Sequence, residues 1–172
     1  NITHFSNKIE GTKTPYGDTV NFLKYGLINK NTIGAKDIAD LKNHKEVLDE
    51  IFEIYEKFEI SKESIKQLHG KMMKDPVQWG NIIDVYNAPG VFREEQSYTN
   101  RVTEWKEYMD FFQIPKAIGD LVTKTNQDLK RIDIKSELYH PLYVATGFHN
   151  EFLNEIHPFS DGNGRIGRIF TN

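Results

Sequence analysis

The apolar residues of this chain recur every three or four positions over most of its length, which restricts it to a largely helical fold. The longest such segment lies between residues 35 and 57, where Lys and Glu fill the positions between Ile38, Leu41, Leu48, Ile51, Phe52 and Tyr55. An apolar stripe on a charged segment is typical of a helix with one face in a core. The sequence therefore predicts a long helix over about residues 35–57.

Two shorter helices are predicted from their start and stop signals. One begins at Asp18 and closes near Gly26 or Asn29. The other takes Ser61 as its N-cap and ends before Pro76, because the residue that precedes a proline is disfavoured in helical geometry.

Two more helices are predicted in the second half of the chain. The first begins at Pro115, and the second begins near Pro141 and must end at His157, since Pro158 follows. Phe159 is then expected to anchor the next loop in the core. The second helix is expected to bury one stripe, formed by Leu142, Ala145, His149, Phe152 and Ile156.

The helical period disappears between residues 79 and 100, around the turn signal Asn87-Ala88-Pro89-Gly90. We expect a short hairpin or an extended loop there. No internal repeat and no Gly/Ser-rich linker divides the chain. The sequence therefore predicts a single all-α domain over residues 1–172, a compact helical bundle with one small β-hairpin.

Charge and composition exclude several classes of partner. The 172 residues carry a net charge of −3, so no overall basic surface is available and no nucleic acid is expected to bind this domain. No run approaches the roughly 18 apolar residues of a membrane span, and a signal-peptide pattern is absent from the polar N-terminus. The lack of cysteine excludes disulfides and a cysteine nucleophile, and it fits a cytoplasmic protein.

The stretch HPFSDGNGRIGR, from His157 to Arg168, concentrates polar groups and glycines. The glycines at 162 and 164 let a backbone approach a ligand closely, and a helix that resumes at Arg165 would add its N-terminus to a phosphate site. Arg165 and Arg168 could each clamp phosphate oxygens, while Asp161 offers the hard oxygen that Mg²⁺ takes beside phosphates. The residues indicate a di- or triphosphate site with a base, His157, beside it.

This stretch also fits simpler interpretations, and two other motifs resemble it in part. Asp-Gly and Asn-Gly pairs mostly make turns, and two arginines three apart often form a solvated face. A calcium-binding EF-hand loop is excluded, because it would put Phe159 and Phe170 at two ligand positions. A P-loop is excluded as well, since the GxxxxGK[ST] pattern is absent.

HPFSDGNGRIGR resembles, without a mismatch, the signature HPFx[D/E]GNGRxxR of Fic-domain proteins. The resemblance extends over most of the chain through LHGKMMK (68–74), PGVFRE (89–94) and HPLYVATGFHNEF (140–152). It implies the Fic fold and, typically, transfer of AMP from ATP to a Ser, Thr or Tyr hydroxyl of a target protein, with Mg²⁺ and release of pyrophosphate.

The resemblance also implies a role for each residue of the signature. His157 would be the general base, and Asp161 would hold Mg²⁺ between the α- and β-phosphates. The remaining positions would contact phosphate. The anion hole would be formed by Gly162, Asn163 and Gly164, whereas Arg165 would contact the phosphates and Arg168 the γ-phosphate.

Residues 81–100 resemble the family's flap, a hairpin whose edge pairs with the target polypeptide as an added strand. The match rests on Gly90, Val91, Phe92 and Arg93, and it does not extend securely over residues 95–105. An ordinary surface hairpin is the alternative interpretation.

The hexapeptide SNKIEG, residues 6–11, resembles the family's inhibitory motif [S/T]xxxE[G/N]. On a helix Ser6 and Glu10 share one face, and Gly11 is a C-cap. The resemblance implies an N-terminal inhibitory segment, residues 1–15, in which Glu10 pairs with Arg168 and occupies the group that should bind the γ-phosphate. In some relatives this glutamate also helps to remove AMP from a modified target, and that activity stays open here.

Three functions are therefore compatible with the sequence. An autoinhibited protein adenylyltransferase is favoured over transfer of another phosphate-linked group, because the GNGR segment is intact, and over an ATP-binding module without turnover, because His157 is present. The target protein and the oligomeric state, a homodimer included, stay open. The chain has no initiator Met and is expected to be a fragment that continues beyond residue 172.

Overall fold

A computed structural model describes residues 2–29, 31–74, 88–100 and 105–172. Its α-helices, in chain order, are α1 (Ile2–Ile9), α2 (Tyr16–Tyr25), α3 (Ala35–Ile54), α4 (Lys62–Met72), α5 (Ile114–Leu129), α6 (Pro141–Asn150) and α7 (Asn163–Thr171). A 3₁₀ turn, Phe111–Gln113, precedes α5, and a π-helix, Glu151–Ile156, continues α6. Strands β1 (Tyr98–Asn100) and β2 (Trp105–Glu107) pair antiparallel. The predicted all-α fold with one small β element is confirmed.

The core lies between α3, α4, α5, the α6–π segment and α7. Phe152 and Phe159 are fully buried at its centre, so the predicted anchoring of the loop by Phe159 is confirmed. Full burial of a side chain of this size stabilises the fold by about 1.5–3 kcal/mol. The same cluster includes Val47, Ile65, Leu68, Met72, Ile114, Ile118, Leu121, Phe148, Ile156, Ile166 and Ile169.

Several predicted helix boundaries are confirmed. Helix α2 closes at Gly26, which adopts the left-handed conformation, and Ser61 caps α4 in a capping box with Ser64. Helix α4 ends at Met72, before the Asp-Pro pair. Helix α3 ends at Ile54, three residues before its predicted end, because residues 55–57 form a turn.

The predicted apolar stripe of the helix from Pro141 is wrong at its start. Leu142 is 67% exposed because the first turn of α6 lies at the surface. The buried positions are spaced by four, at Phe148, Phe152 and Ile156. The last two belong to the π-helix, where more residues per turn keep a four-residue spacing on one face.

The region predicted to be a hairpin or an extended loop, residues 79–100, is described only from residue 88 onward. Gly90 forms a turn, with the Val91 N–H donating to Ala88 O at 3.1 Å, and residues 91–94 that follow it are not in a strand. The described pairing lies further along the chain, where Tyr98 pairs with Glu107 and Asn100 with Trp105.

No helix within the described ranges is long and apolar enough to cross a membrane.

Candidate active site

His157 ends the π-helix with left-handed backbone angles, φ 49° and ψ 64°. This conformation costs a non-glycine residue about 1–2 kcal/mol, so its neighbours must hold it. The His157 N–H donates to Phe152 O at 2.9 Å, and the His157 carbonyl accepts from Arg93 Nε at 2.8 Å. As predicted, the imidazole therefore stands at a helix end beside a loop.

The hydrogen bonds of the His157 ring leave one nitrogen free to act as a base. Nδ1 lies 2.9 Å from the Leu153 carbonyl, which can only accept, so Nδ1 carries the proton and Nε2 the lone pair. Tyr108 stacks on the ring at 3.9 Å with 17° between the planes. Burial lowers the pKa of His157 below its ordinary value, and the charges of Arg93 and Lys106 lower it further. The hydrogen bond to the Leu153 carbonyl opposes this shift.

The loop after His157 is held by the side chain of Asn163. Its Oδ1 accepts from the Phe159 N–H at 2.9 Å, and its Nδ2 donates to the Phe159 carbonyl at 2.6 Å. Asn163 begins α7, two residues before the predicted start. The N–H groups of residues 163–165 are therefore the first of the helix and lie at its positive end.

Gly162 precedes α7 with φ 78°, a conformation that favours glycine. A Cβ on Gly162 would lie 2.7 Å from Met73 Sδ and 3.1 Å from His69 Nε2. Gly162 is therefore required by both its backbone conformation and its neighbours.

Asp161 places a carboxylate beside this helix end. Its Oδ1 accepts from the Gly162 N–H at 2.6 Å, and its side chain is 67% exposed. Within the described ranges no three His, Asp or Glu side chains form a group that could hold a metal ion by themselves. One exposed carboxylate beside a phosphate site suits Mg²⁺, which is usually bound by one or two carboxylates together with substrate phosphates.

The two arginines of the motif have different surroundings. The side chain of Arg165 is 5% exposed and pairs with Asp40 Oδ1 at 3.3 Å and with Asp161 Oδ2 at 3.4 Å. Burial raises the pKa of Asp40, although the nearby Arg165 opposes the shift. The predicted phosphate contact of Arg165 would therefore require it to exchange a carboxylate for phosphate.

Arg168 binds the N-terminal segment. Its Nη2 lies 2.5 Å from Glu10 Oε1 and 3.1 Å from the Ser6 carbonyl, and its Nε donates to Ser6 Oγ at 3.0 Å. A Cβ on Gly164 would lie 2.7 Å from Glu10 Oε1, so this carboxylate rests on the first turn of α7. The structure brings Ser6, Glu10 and Arg168 together, and Gly11 follows with φ 99° in the left-handed region.

Helix α1 carries its polar face inward. Thr3, Ser6 and Asn7 are buried, whereas Phe5 and Ile9 are 57% and 68% exposed. This reversal of the usual pattern places polar groups against Arg168 of α7 and His44 of α3. The Nδ1 atom of His44 lies 3.3 Å from Thr3 Oγ1.

A cleft of about 290 Å³ joins these elements. Its walls contain the predicted base, the predicted metal ligand, the start of α7 and the glutamate that was predicted to inhibit. The lining residues are Ile9, Glu10, Leu153, His157, Ser160, Asp161, Gly162, Asn163, Gly164 and Arg168. A larger cleft of about 430 Å³, between α1, α2 and α3, shares none of these residues.

Comparison with known proteins agrees with this geometry. The profile of the Fic/DOC family matches residues 59–172. The chain belongs to the Fic/DOC family. The Fic/DOC profile includes the whole segment from His157 to Arg168 and excludes both α1 and Glu10, which directly follows α1.

Curated relatives of this Fic/DOC chain come from several organisms. It is 39% identical over 85 residues to a Fido domain-containing protein of Dictyostelium discoideum, covering 49% of this chain and 52% of the relative. It is 25% identical over 178 residues to the protein adenylyltransferase VbhT of Bartonella schoenbuchensis, covering 95% and 31%. For the protein adenylyltransferase Fic of Aedes aegypti the identity is 27% over 153 residues, covering 88% and 21%. The chain thus spans about half or less of the length of these relatives.

Solved structures share the Fic fold. A Fic domain containing signaling protein from Bacteroides thetaiotaomicron superimposes with a TM-score of 0.82 at 24% identity, covering 99% of this chain and 59% of that one. A Fic family protein from Desulfovibrio desulfuricans gives 0.73 at 21% identity, covering 99% and 46%.

One residue predicted for the Fic/DOC flap has a different place in the structure. Arg93 is 3% exposed, and its guanidinium donates to the carbonyls of Glu95, Met109, Ile156 and His157. A side chain with these partners cannot contact a target polypeptide. Gly90, Val91 and Phe92 also lie before the described β-ladder rather than within it.

Three residues of the site were not predicted from the sequence. Tyr108 stacks on His157, Asp40 pairs with Arg165, and His69 bonds to the Asp161 carbonyl. None belongs to the HPFSDGNGRIGR stretch, and each is brought to it only by folding. The motif LHGKMMK contains His69, but the motif alone gave that residue no role.

His44 should make the fold sensitive to acid. It is fully buried, and burial, together with the charges of Arg168 and Arg165, lowers its pKa to about 4. Between pH 6.5 and 4 the unfolded chain binds a proton at His44 that the folded chain excludes, so stability falls as the pH falls. We expect the stability advantage of the wild type over His44→Asn to shrink by up to about 3 kcal/mol across this range. Urea unfolding of both proteins at pH 7, 5.5 and 4.5 tests this, and a difference that stays constant with pH would contradict it.

Proposed function

We propose that this Fic/DOC protein is a protein adenylyltransferase, which transfers AMP from ATP to a Ser, Thr or Tyr hydroxyl of a target protein and is inhibited by Glu10. The observation that carries the proposal is the cleft in which His157, Asp161, the N-terminus of α7 and Arg168 meet. Two relatives that bear the name protein adenylyltransferase support the same reaction type.

The N-terminus of α7 would receive the triphosphate. The N–H groups of Gly162, Asn163 and Gly164 and the helix dipole favour an anion at this point. Arg168 would contact the γ-phosphate and Arg165 the other phosphates. Asp161 would hold Mg²⁺, which when bound neutralises charge on the α- and β-phosphates.

His157 would activate the target. Nε2 would take the proton of the target hydroxyl while the hydroxyl oxygen forms a bond to the α-phosphorus. The bond from the α-phosphorus to the oxygen that bridges to the β-phosphate would break, and pyrophosphate would leave. General-base catalysis of this kind contributes about 10²–10⁴-fold. The remaining acceleration comes from holding the phosphate in line with the hydroxyl and from stabilising its charge.

Glu10 would inhibit by occupying the γ-phosphate position. Its carboxylate binds Arg168 at 2.5 Å and rests on Gly164, so it neutralises the guanidinium and puts a negative charge where phosphate should bind. A coupling of about 1–3 kcal/mol between this contact and productive ATP binding corresponds to 5–150-fold suppression. The segment formed by residues 1–15 would thus act as a built-in inhibitor of the single domain.

Removal of Glu10 should therefore activate the protein. We expect Glu10→Gly to raise AMP incorporation by about 5–150-fold, because Arg168 becomes free for the γ-phosphate. Mass spectrometry of the protein and of lysate proteins, after incubation with Mg²⁺ and ATP, measures the +AMP adducts.

The matched control is Glu10→Gly with His157→Ala, which should lose the adducts. Unchanged or lower incorporation in Glu10→Gly would contradict the inhibitory role. Phosphate adducts would favour transfer of a terminal phosphate instead, and bound ATP without any adduct would favour a nucleotide-binding module.

The pH dependence of AMP transfer should report His157. A base works only when it is unprotonated, and burial lowers the pKa of His157. We expect the acid limb of kcat/KM for Glu10→Gly to have its midpoint below pH 6.5, with activity lost as the pH falls through it. A midpoint above pH 6.5 would be inconsistent with this assignment.

Removal of AMP from modified targets is a second candidate activity. Its support is that Glu10 and His157 line the same cleft, since a carboxylate beside the reacting phosphorus can orient water for hydrolysis. Lysate proteins labelled by Glu10→Gly with radioactive ATP, and then freed of nucleotide, provide the substrate. We expect the wild type to release AMP from them and Glu10→Gln not to, whereas equal release by both would overturn the proposal.

A further inference from the structure

We infer that His69 is a positioning residue for Asp161, and that a hydrogen bond from its Nε2–H to the Asp161 carbonyl sets the metal affinity of the site. The inference rests on the proposed function, in which Asp161 holds Mg²⁺. His69 lies on α4, 92 residues from Asp161 in the chain, and is 4% exposed.

Both nitrogens of the His69 ring are engaged by backbone groups. Nε2 lies 2.9 Å from the Asp161 carbonyl, and Nδ1 lies 2.9 Å from the Gly90 nitrogen. The carbonyl can only accept a hydrogen bond and the amide can only donate one. The ring is therefore held as the neutral tautomer with its proton on Nε2. The Gly90 N–H favours this tautomer, because it needs an unprotonated Nδ1 as its acceptor.

The plane of the His69 ring is fixed as well. It stacks on Phe159 with 3.6 Å between centroids and 2° between planes, and Phe159 is fully buried. Since the Nε2–H bond vector lies in the ring plane, fixing this plane also fixes the point at which the Asp161 carbonyl is held.

Two other chain segments approach His69 and α4 closely. A Cβ on Gly162 would lie 3.1 Å from His69 Nε2, and a Cβ on Gly90 would lie 2.9 Å from the Lys66 carbonyl. The loop that contains Gly162 and the segment 88–93 therefore both pack directly against α4. The His69 side chain connects α4 to both of them.

This arrangement matters because Asp161 is a single, exposed carboxylate. The backbone of Asp161 is held from the protein side while its side chain faces the solvent, 67% exposed. Since Asp161 would be the single protein ligand of Mg²⁺, the position of its carboxylate depends on how the Asp161 backbone is held. Loss of an outer hydrogen-bond partner of a metal ligand typically costs about 10–100-fold in metal affinity or activity.

Two substitutions separate the bonds of the His69 ring. In His69→Gln the amide nitrogen can take the place of Nε2 and keep the donor to Asp161. In His69→Asn the amide oxygen can take the place of Nδ1 and keep the acceptor for Gly90, but the donor to Asp161 is lost. Each is combined with Glu10→Gly, so that nucleotide can bind without the inhibitory carboxylate.

Calorimetry of a non-hydrolysable ATP analogue at a series of Mg²⁺ concentrations measures the effect. We expect the Asn variant to raise the half-saturating Mg²⁺ concentration by about 10–100-fold and the Gln variant by less than about threefold, relative to Glu10→Gly. A merely structural role would move both variants together and would not depend on Mg²⁺.

Equal shifts in the two variants, or none in either, would overturn the role of His69 while leaving the proposed function intact. Failure of Glu10→Gly itself to bind the analogue with Mg²⁺ would instead overturn the proposed function, and the inference with it.

A second measurement applies if a variant fails to fold. The ¹⁵N shifts of the His69 ring, in Glu10→Gly without nucleotide, report which nitrogen carries the proton. A proton on Nε2 supports the inference, and a proton on Nδ1 overturns it.

Discussion

The position of His157 depends on the guanidinium of Arg93. The last carbonyls of a helix lack partners within it, and here those of Ile156 and His157 accept from Arg93. The same group donates to the carbonyls of Glu95 and Met109, and the Arg93 N–H donates to the Pro158 carbonyl at 2.9 Å. One buried cation thus ties the end of the π-helix to the segments on both sides of the β-ladder and holds His157 in its left-handed conformation.

Polar contacts hold the N-terminal segment against α7. The buried face of α1 is polar, and Arg168 donates three hydrogen bonds to Ser6 and to Glu10, the residue that follows α1. The Arg168 and Glu10 side chains are 21% and 31% exposed, so solvent screens their attraction and the pair alone cannot contribute a large free energy. A contact of this strength would suit the inhibitory role proposed for Glu10, which requires that phosphate be able to displace it from Arg168.

Sequence reasoning predicted the helices, the loop anchor and the local chemistry of residues 157–168, because each of these depends on spacing within a short segment. Phe159 could be assigned to the core from its neighbours alone. The role of Arg93 could not, since its partners at Met109 and Ile156 are 16 and 63 residues away and are backbone carbonyls, which any residue supplies. The π-helix was missed for a related reason: an apolar pattern spaced by four fits both helix types. They differ in their backbone hydrogen bonds, such as the bond from the His157 N–H to the Phe152 carbonyl five residues earlier.

Arg165 links the resting structure to the proposed chemistry. Within the described residues its Nε is a buried donor without a hydrogen-bond partner, and such a group costs about 1–3 kcal/mol. Its other nitrogens lie 3.3 Å from Asp40 and 3.4 Å from Asp161, both longer than the hydrogen bonds that charged groups prefer. A phosphate at the start of α7 would offer closer acceptors, and it would release Asp161 from the guanidinium. In the proposed function, the carboxylate that would hold Mg²⁺ and the arginine that would contact phosphate pair with each other in this structure, and binding of the substrate would separate them.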